Sequence, residues 1–219
     1  MKKPPKKPWP NQAAMAQVYE KKLWGEGATA FYSGAGSHDA QTVAAYIEKI
    51  TAFLEAFDRP LTVCDLGCGD FNVGSALVSY CASYHAVDIV PKLIAHNKQT
   101  FKSEHLHFYC RDIAKDPLPI GDCVMLRQVL QHLSNAEILA IVKKLYKYPY
   151  LILTEHLPET AFTPNADLIS GQGIRLKKNS GVDLLEAPFH FKVKKATKLL
   201  NLPAPGTKGR LVTTLYVIH

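Results

Sequence analysis

The chain has 219 residues, 47% of them hydrophobic and 21% charged, with a formal net charge of +7, a balance that suits a globular protein able to bury one substantial core. No uninterrupted apolar run approaches the roughly 18–20 residues needed to span a bilayer. The basic, proline-rich start lacks the apolar stretch and cleavage site of a secretory signal, so a cytoplasmic protein with no membrane partner is expected.

Residues 1–12 hold four lysines and four prolines without an apolar period, and are expected to form a disordered basic tail. Residues 13–58 read as an N-terminal helical segment: an Ala-rich stretch, then glycines interleaved with aromatics from Trp24 to Ser37, then an amphipathic helix. That helix starts after Asp39, carries Val43, Tyr46, Ile47, Ile50, Phe53, Leu54 and Phe57 on one face, and stops near Arg59-Pro60.

Beyond Pro60 strand-like and helix-like runs alternate. Strands are expected near 61–66, 83–88, 106–111, 121–127 and 149–155, and helices near 72–81, 91–100 and 135–147. Ser134 and Glu137 have capping-box spacing at the start of the last helix. This order predicts an α/β fold with a doubly wound, Rossmann-like parallel sheet. After Glu155 the alternation lapses into an insertion over 156–187, and two further strands are expected near 189–193 and 210–218.

Charge divides unevenly along this order. The first ten residues carry +4 and residues 171–219 carry +7, leaving −4 between them. Basic ends can attract phosphate, so a nucleic-acid partner is kept as an alternative. The five cysteines, 64, 68, 81, 110 and 123, form no Cys-x-x-Cys pair; reduced core thiols are expected, with neither disulfide nor metal site.

The chemistry concentrates at strand ends. Asp65-Leu66-Gly67-Cys68-Gly69 closes the first strand, and Asp88 closes the second about twenty residues later, an arrangement that lets a nucleoside approach bare backbone while a carboxylate holds its ribose. Gly74 lies five residues after Gly69, whereas a pyrophosphate-binding fingerprint wants its third glycine three residues on. The spacing disfavours a dinucleotide.

Residues 60–155 resemble the class I S-adenosylmethionine-dependent methyltransferases. The resemblance implies a sheet of about seven strands closed by an antiparallel C-terminal hairpin. It also implies S-adenosylmethionine as methyl donor, S-adenosylhomocysteine as product and a small-molecule acceptor. On it, Asp65, Gly67, Cys68 and Gly69 form the glycine motif, with Phe71 where the family often has another glycine. Asp88 with Ile89 meets the ribose, and Asp112 with Ile113 meets the adenine. The run Leu126-Arg127-Gln128-Val129-Leu130-Gln131-His132-Leu133 resembles the Val-Leu-x-His-Leu segment of small-molecule methyltransferases, with Arg127 and Gln128 at the ligand edge.

Trp24 and Tyr32 are the aromatics expected to close over the donor, where a ring face suits a sulfonium. Glu155, His156 and His132 are the candidate catalytic groups, needed only if the acceptor arrives protonated. RNA or protein acceptors and a non-catalytic binding protein remain as alternatives. The acceptor and the oligomeric state are not legible.

Overall fold

The computed structural model describes residues 10–27 and 29–219, so most of the expected tail lies outside the described residues. Its last two positions depart from expectation, because Asn11 opens helix α1 (Asn11–Glu20). This helix is weakly amphipathic and is fixed by docking: Met15 packs with Val90 and Leu93, and Tyr19, Trp24 and Phe31 pack beside them. Helix α2 (Ala40–Leu54) is capped by Asp39, whose carboxylate accepts from the Thr42 N–H at 2.8 Å, and it buries Tyr46, Ile50 and Leu54.

Five parallel strands follow: β1 (Leu61–Leu66), β2 (Cys81–Asp88), β3 (Leu106–Cys110), β4 (Cys123–Arg127) and β5 (Tyr150–Leu157). The chain ends in the antiparallel pair β6 (Lys195–Pro203) and β7 (Arg210–Val217). The sheet order is β3-β2-β1-β4-β5-β7-β6, with β7 antiparallel to β5. Strand order reverses between β1 and β4, and such a reversal opens a crevice at the strands' carboxyl ends.

Alternation along the strands supplies two cores. Val63 and Met125 face the layer of Tyr46, Ile50 and Leu54. Cys64, Val124 and Leu126 face the other, where helix α4 (Asn135–Leu145) packs Ile138, Ile141 and Leu145. The expected capping box is present at Ser134 and Glu137. Helix α3 (Pro91–Thr100) crosses between β2 and β3.

Two expected elements differ. The helix over 72–81 is replaced by two three-residue 3-10 turns, Gly74–Ala76 and Val78–Tyr80. Phe71 sits in the left-handed region at φ 63° and sends a fully buried ring among Tyr84, Phe101 and Phe108. Gly74 passes over that ring so closely that a Cβ there would lie 2.4 Å from it, so the chain wraps the ring in short turns.

The segment 189–193 alternates in burial as a strand does, with Phe189 and Phe191 inside, yet it has no ladder partner. Its Phe191 N–H goes back to the Leu184 carbonyl and its Lys192 N–H to the Tyr146 hydroxyl. The strand lies one step later, at β6, whose mostly exposed face and edge lysines hid it from a hydrophobic pattern.

The insertion between β5 and β6 is folded around two buried side chains. Arg175 is 1% exposed and donates to the carbonyls of Ala166, Leu130, Gln131 and Leu133 and to Asn135 Oδ1, at 2.7–3.2 Å. Asn165 donates to the carbonyls of Asp183 and Ala187 and accepts from the Asp183 N–H. Arg175→Met therefore leaves several buried carbonyls without donors, each costing about 1–3 kcal/mol. The variant is expected to unfold at lower urea with a total loss of about 3 kcal/mol or more, and an unchanged midpoint would show that the insertion is not held this way.

Candidate functional site

A cavity of about 360 Å³ runs across the carboxyl ends of the strands, a size typical of small-molecule sites at about 300–1,000 Å³. Its wall takes Asp112 and Ile113 after β3, Asp88 and Ile89 at the end of β2, and the Gly67-Cys68-Gly69 loop after β1. Arg127 and Gln128 come from the end of β4, His132 from the turn before α4, and His156 from β5. Met15, Tyr19, Trp24 and Ser33–Ser37 cover it, and Ala204–Thr207 lie at the β6–β7 turn end.

Twelve of the fifteen expected site residues thus meet around one space. Asp65, Tyr32 and Glu155 do not line it. Asp65 faces a much smaller cavity on the α2 side, bonded to the Tyr84 hydroxyl at 3.0 Å. Burial pushes its carboxyl up to about 7, with Tyr84 and Arg127 opposing that rise. Tyr32 stacks on His38, with ring centroids 4.5 Å apart.

The glycine loop is pinned from beneath. The N–H groups of Gly67 and Cys68 both reach the Val87 carbonyl, at 2.7 and 2.9 Å, with Gly67 at φ 85° and Gly69 at φ 57°. A Cβ at Gly69 would lie 2.4 Å from Ser33 Oγ, so only glycine admits the covering segment here. Asp88 accepts from the Gly69 N–H at 3.1 Å and from the Val90 N–H at 3.0 Å. Burial raises its pKa while these donors hold it down. Asp112 accepts from the Ala114 N–H and pairs with Lys115 at 3.0 Å.

Arg127 pairs with neither Asp88 nor Asp112. Its guanidinium donates to Ser37 Oγ at 3.1 Å and to the Gly36 carbonyl, lies 5.0 Å over the Tyr46 ring, and leaves Nε without a partner. It thereby ties the covering segment to β4. A second tie joins that segment to the glycine loop: Asp70 accepts from the Ser33 N–H at 2.8 Å and contacts His38 Nε2 at 2.6 Å, while Ser33 Oγ accepts from the Asp70 N–H. Asp70 follows Gly69 directly in the sequence and could have been singled out; Ser33, Gln131, Gln172 and Thr207 carry no such signal.

The histidines differ in their attachments. His132 packs against Trp24 at 5.1 Å between ring centroids, and its Nδ1 makes no hydrogen bond of ordinary geometry. Burial pushes its pKa down to about 4, so it is neutral at ordinary pH. His156 donates from Nε2 to the Lys208 carbonyl at 2.7 Å, which leaves Nδ1 as its basic nitrogen. Burial lowers its pKa as well.

Glu155 points to the other face of β5, 2% exposed, with both carboxylate oxygens lacking hydrogen bonds. Burial pushes it up to about 8, against the pull of the Arg175 charge and of the nearby Leu130 and Gln131 backbone. Its neighbour on the strand, His156, has the cavity instead.

Residues 63–148 match the family described as a methyltransferase domain. In structure the chain is similar to N-methyltransferase NodS from Bradyrhizobium japonicum WM9 in complex with S-adenosyl-L-homocysteine. That likeness has TM-score 0.65 at 12% identity and covers 94% of this chain and 100% of that one. Magnesium protoporphyrin IX methyltransferase (ChlM) from Synechocystis PCC 6803 with bound SAM gives 0.57 at 17%, over 94% and 97%. The Burkholderia thailandensis 1,6-didemethyltoxoflavin-N1-methyltransferase gives 0.56 at 16%, over 97% and 92%. No curated protein matches the chain in sequence. At these identities the neighbours establish the fold.

Glu155 predicts a measurable pH dependence. A carboxyl near 8 when folded and near 4.5 when unfolded binds more protons in the native state between those values. The contribution of Glu155 to stability is then largest below about 4.5 and falls as pH rises toward 8, by at most about 1.4 kcal/mol per pH unit. Glu155→Gln is expected to remove that slope in urea unfolding from pH 5 to 8, and parallel curves for the two proteins would show that Glu155 titrates normally.

Proposed function

We propose, on the premise that the chain carries a class I S-adenosylmethionine-dependent methyltransferase domain, that it moves the donor's methyl group to a small molecule by direct in-line transfer. The observation that carries this reading is the meeting of the Gly67–Gly69 loop, Asp88 and Asp112 on one cavity at three successive parallel strand ends. Bound there, the donor supplies an electrophilic methyl on a sulfonium.

The chain's own part is to bind, orient and exclude water, and such positioning can be worth about 7–11 kcal/mol. Gly67 and Gly69 offer bare backbone to the amino-acid part. Asp88 retains lone pairs for ribose hydroxyls, and Asp112 with Ile113 serves the adenine. The helix N-terminus expected after the glycine loop is absent, which leaves the donor's carboxylate to the cations on the wall, Arg111 and Arg127, the latter through its unpartnered Nε. Trp24 and the segment Ser33–Ser37 form the cover, in keeping with 13–58 as a lid on a domain of residues 59–219.

Proton removal, where an acceptor needs it, falls to His156 with its free Nδ1 rather than to Glu155, which does not line the cavity; His132 contacts the ligand as a neutral group. Five cysteines that all remain thiols support work in the cytoplasm. No helix among the described residues is long and apolar enough to cross a membrane.

Isothermal titration with S-adenosylmethionine, followed by assay of S-adenosylhomocysteine release with candidate acceptors, separates an enzyme from a silent binding protein. Asp88→Asn is a milder variant than alanine, because its single amide oxygen still accepts from one of the Gly69 and Val90 N–H groups, which bond to separate oxygens of Asp88. It is expected to weaken donor binding at least tenfold while the protein still unfolds cooperatively, at a lower melting temperature. Unaltered affinity would remove Asp88 from the ribose.

A further inference from the structure

The wall of the cavity is chemically lopsided. Its two carboxylates, Asp88 and Asp112, end β2 and β3, and its two cations, Arg111 and Arg127, end β3 and β4. From β5 onward the wall holds no charged side chain among the described residues. His156, Gln172, Ile174, Pro205, Thr207 and Leu211 make up most of that end. The undescribed residues 1–9 contain no acid. Charged groups near His156 are kept off the wall: Glu155 faces away, Glu159 accepts from the Gly209 N–H, and Lys208 contributes its carbonyl. Arg210 donates to Asn201 on β6.

An ammonium group entering there would find no counter-charge and would face the donor's sulfonium, charge against like charge. A carboxylate would find no cation among the described residues of that end. An uncharged group loses least on leaving water, provided its polar atoms find partners. His156 offers one: with Nε2–H committed to Lys208, its Nδ1 can only accept.

We infer that the acceptor is an uncharged, mainly apolar molecule presenting a hydroxyl or ring N–H, and that His156 accepts that proton. The inference rests on the methyltransferase reading above. In the step, the acceptor's lone pair forms the bond to the methyl carbon as the carbon–sulfur bond breaks, and that bond's electron pair stays on sulfur as a neutral thioether. The acceptor's proton passes to His156 Nδ1, giving an imidazolium that returns it to water.

The test uses the intact chain saturated with S-adenosylhomocysteine, whose own binding is measured first by titration calorimetry. Failure at that stage sinks the methyltransferase reading, separately from this inference. A matched set then competes for the acceptor end: 4-nitrophenol, 4-nitroanisole, 4-nitrobenzylamine and 4-nitrobenzoate at pH 6. The phenol is expected to bind at least tenfold tighter than the ammonium and the carboxylate, and at least fivefold tighter than the anisole. Equal or tighter binding of either charged compound, or no binding of the phenol at millimolar concentration, overturns the acceptor class.

His156→Leu removes the Nδ1 acceptor without supplying another, at the loss of the bond to the Lys208 carbonyl. It is expected to erase the preference for phenol over anisole while anisole affinity stays the same. A retained preference removes His156 from the proton's path. His156→Phe, which also lacks an acceptor, serves in the same comparison if the leucine variant fails to fold.

Discussion

Two backbone N–H groups, those of Gly67 and Cys68, share the carbonyl oxygen of Val87, and the site follows from that shared acceptor. It fixes the loop after β1 against β2 at the point where the strand order is about to reverse. Gly69 is then placed to donate its N–H to Asp88 and to accept at its carbonyl from Asn97 Nδ2. The bare Cα of Gly69 leaves room for Ser33, through which the covering segment reaches Asp70. Backbone register, carboxylate position and cover are therefore one connected arrangement.

Charge in the cavity is set by which strand end each group occupies. The acids belong to β2 and β3, where turn N–H groups compensate them, while Arg127 spends its donors on Gly36 and Ser37. The end built from β5, the insertion and the terminal hairpin is neutral. This asymmetry suits a site in which a charged donor and an uncharged acceptor lie side by side, because each is matched by its own wall.

The insertion shows how an apparently structureless stretch can be rigid without a large apolar core of its own. Arg175 satisfies the carbonyls at the end of the turn that carries His132, and Asn165 does the same for the chain near Asp183. Polar side chains here do the joining that helices do elsewhere in the sheet, and they bring Gln172 and Ile174 to the cavity. Buried and fully hydrogen-bonded, such groups specify one conformation.

Local pattern determined much of this protein. The parallel strands, α2, α3, the capping box of α4 and the succession Gly67, Gly69, Asp88, Asp112 are set by side-chain period and by acids and glycines at strand ends, properties carried by near neighbours in the chain. The tertiary structure decided the rest, because it depends on which groups at distant positions share space. Burial of the Phe71 ring turned an expected helix into two turns, and edge position made β6 a strand that its lysines disguise. Strand alternation, legible in itself, acquired its consequence only when folding showed which side held the cavity: His156 faces it, whereas Glu155 and Asp65 are enclosed elsewhere, where burial pushes both carboxyls up.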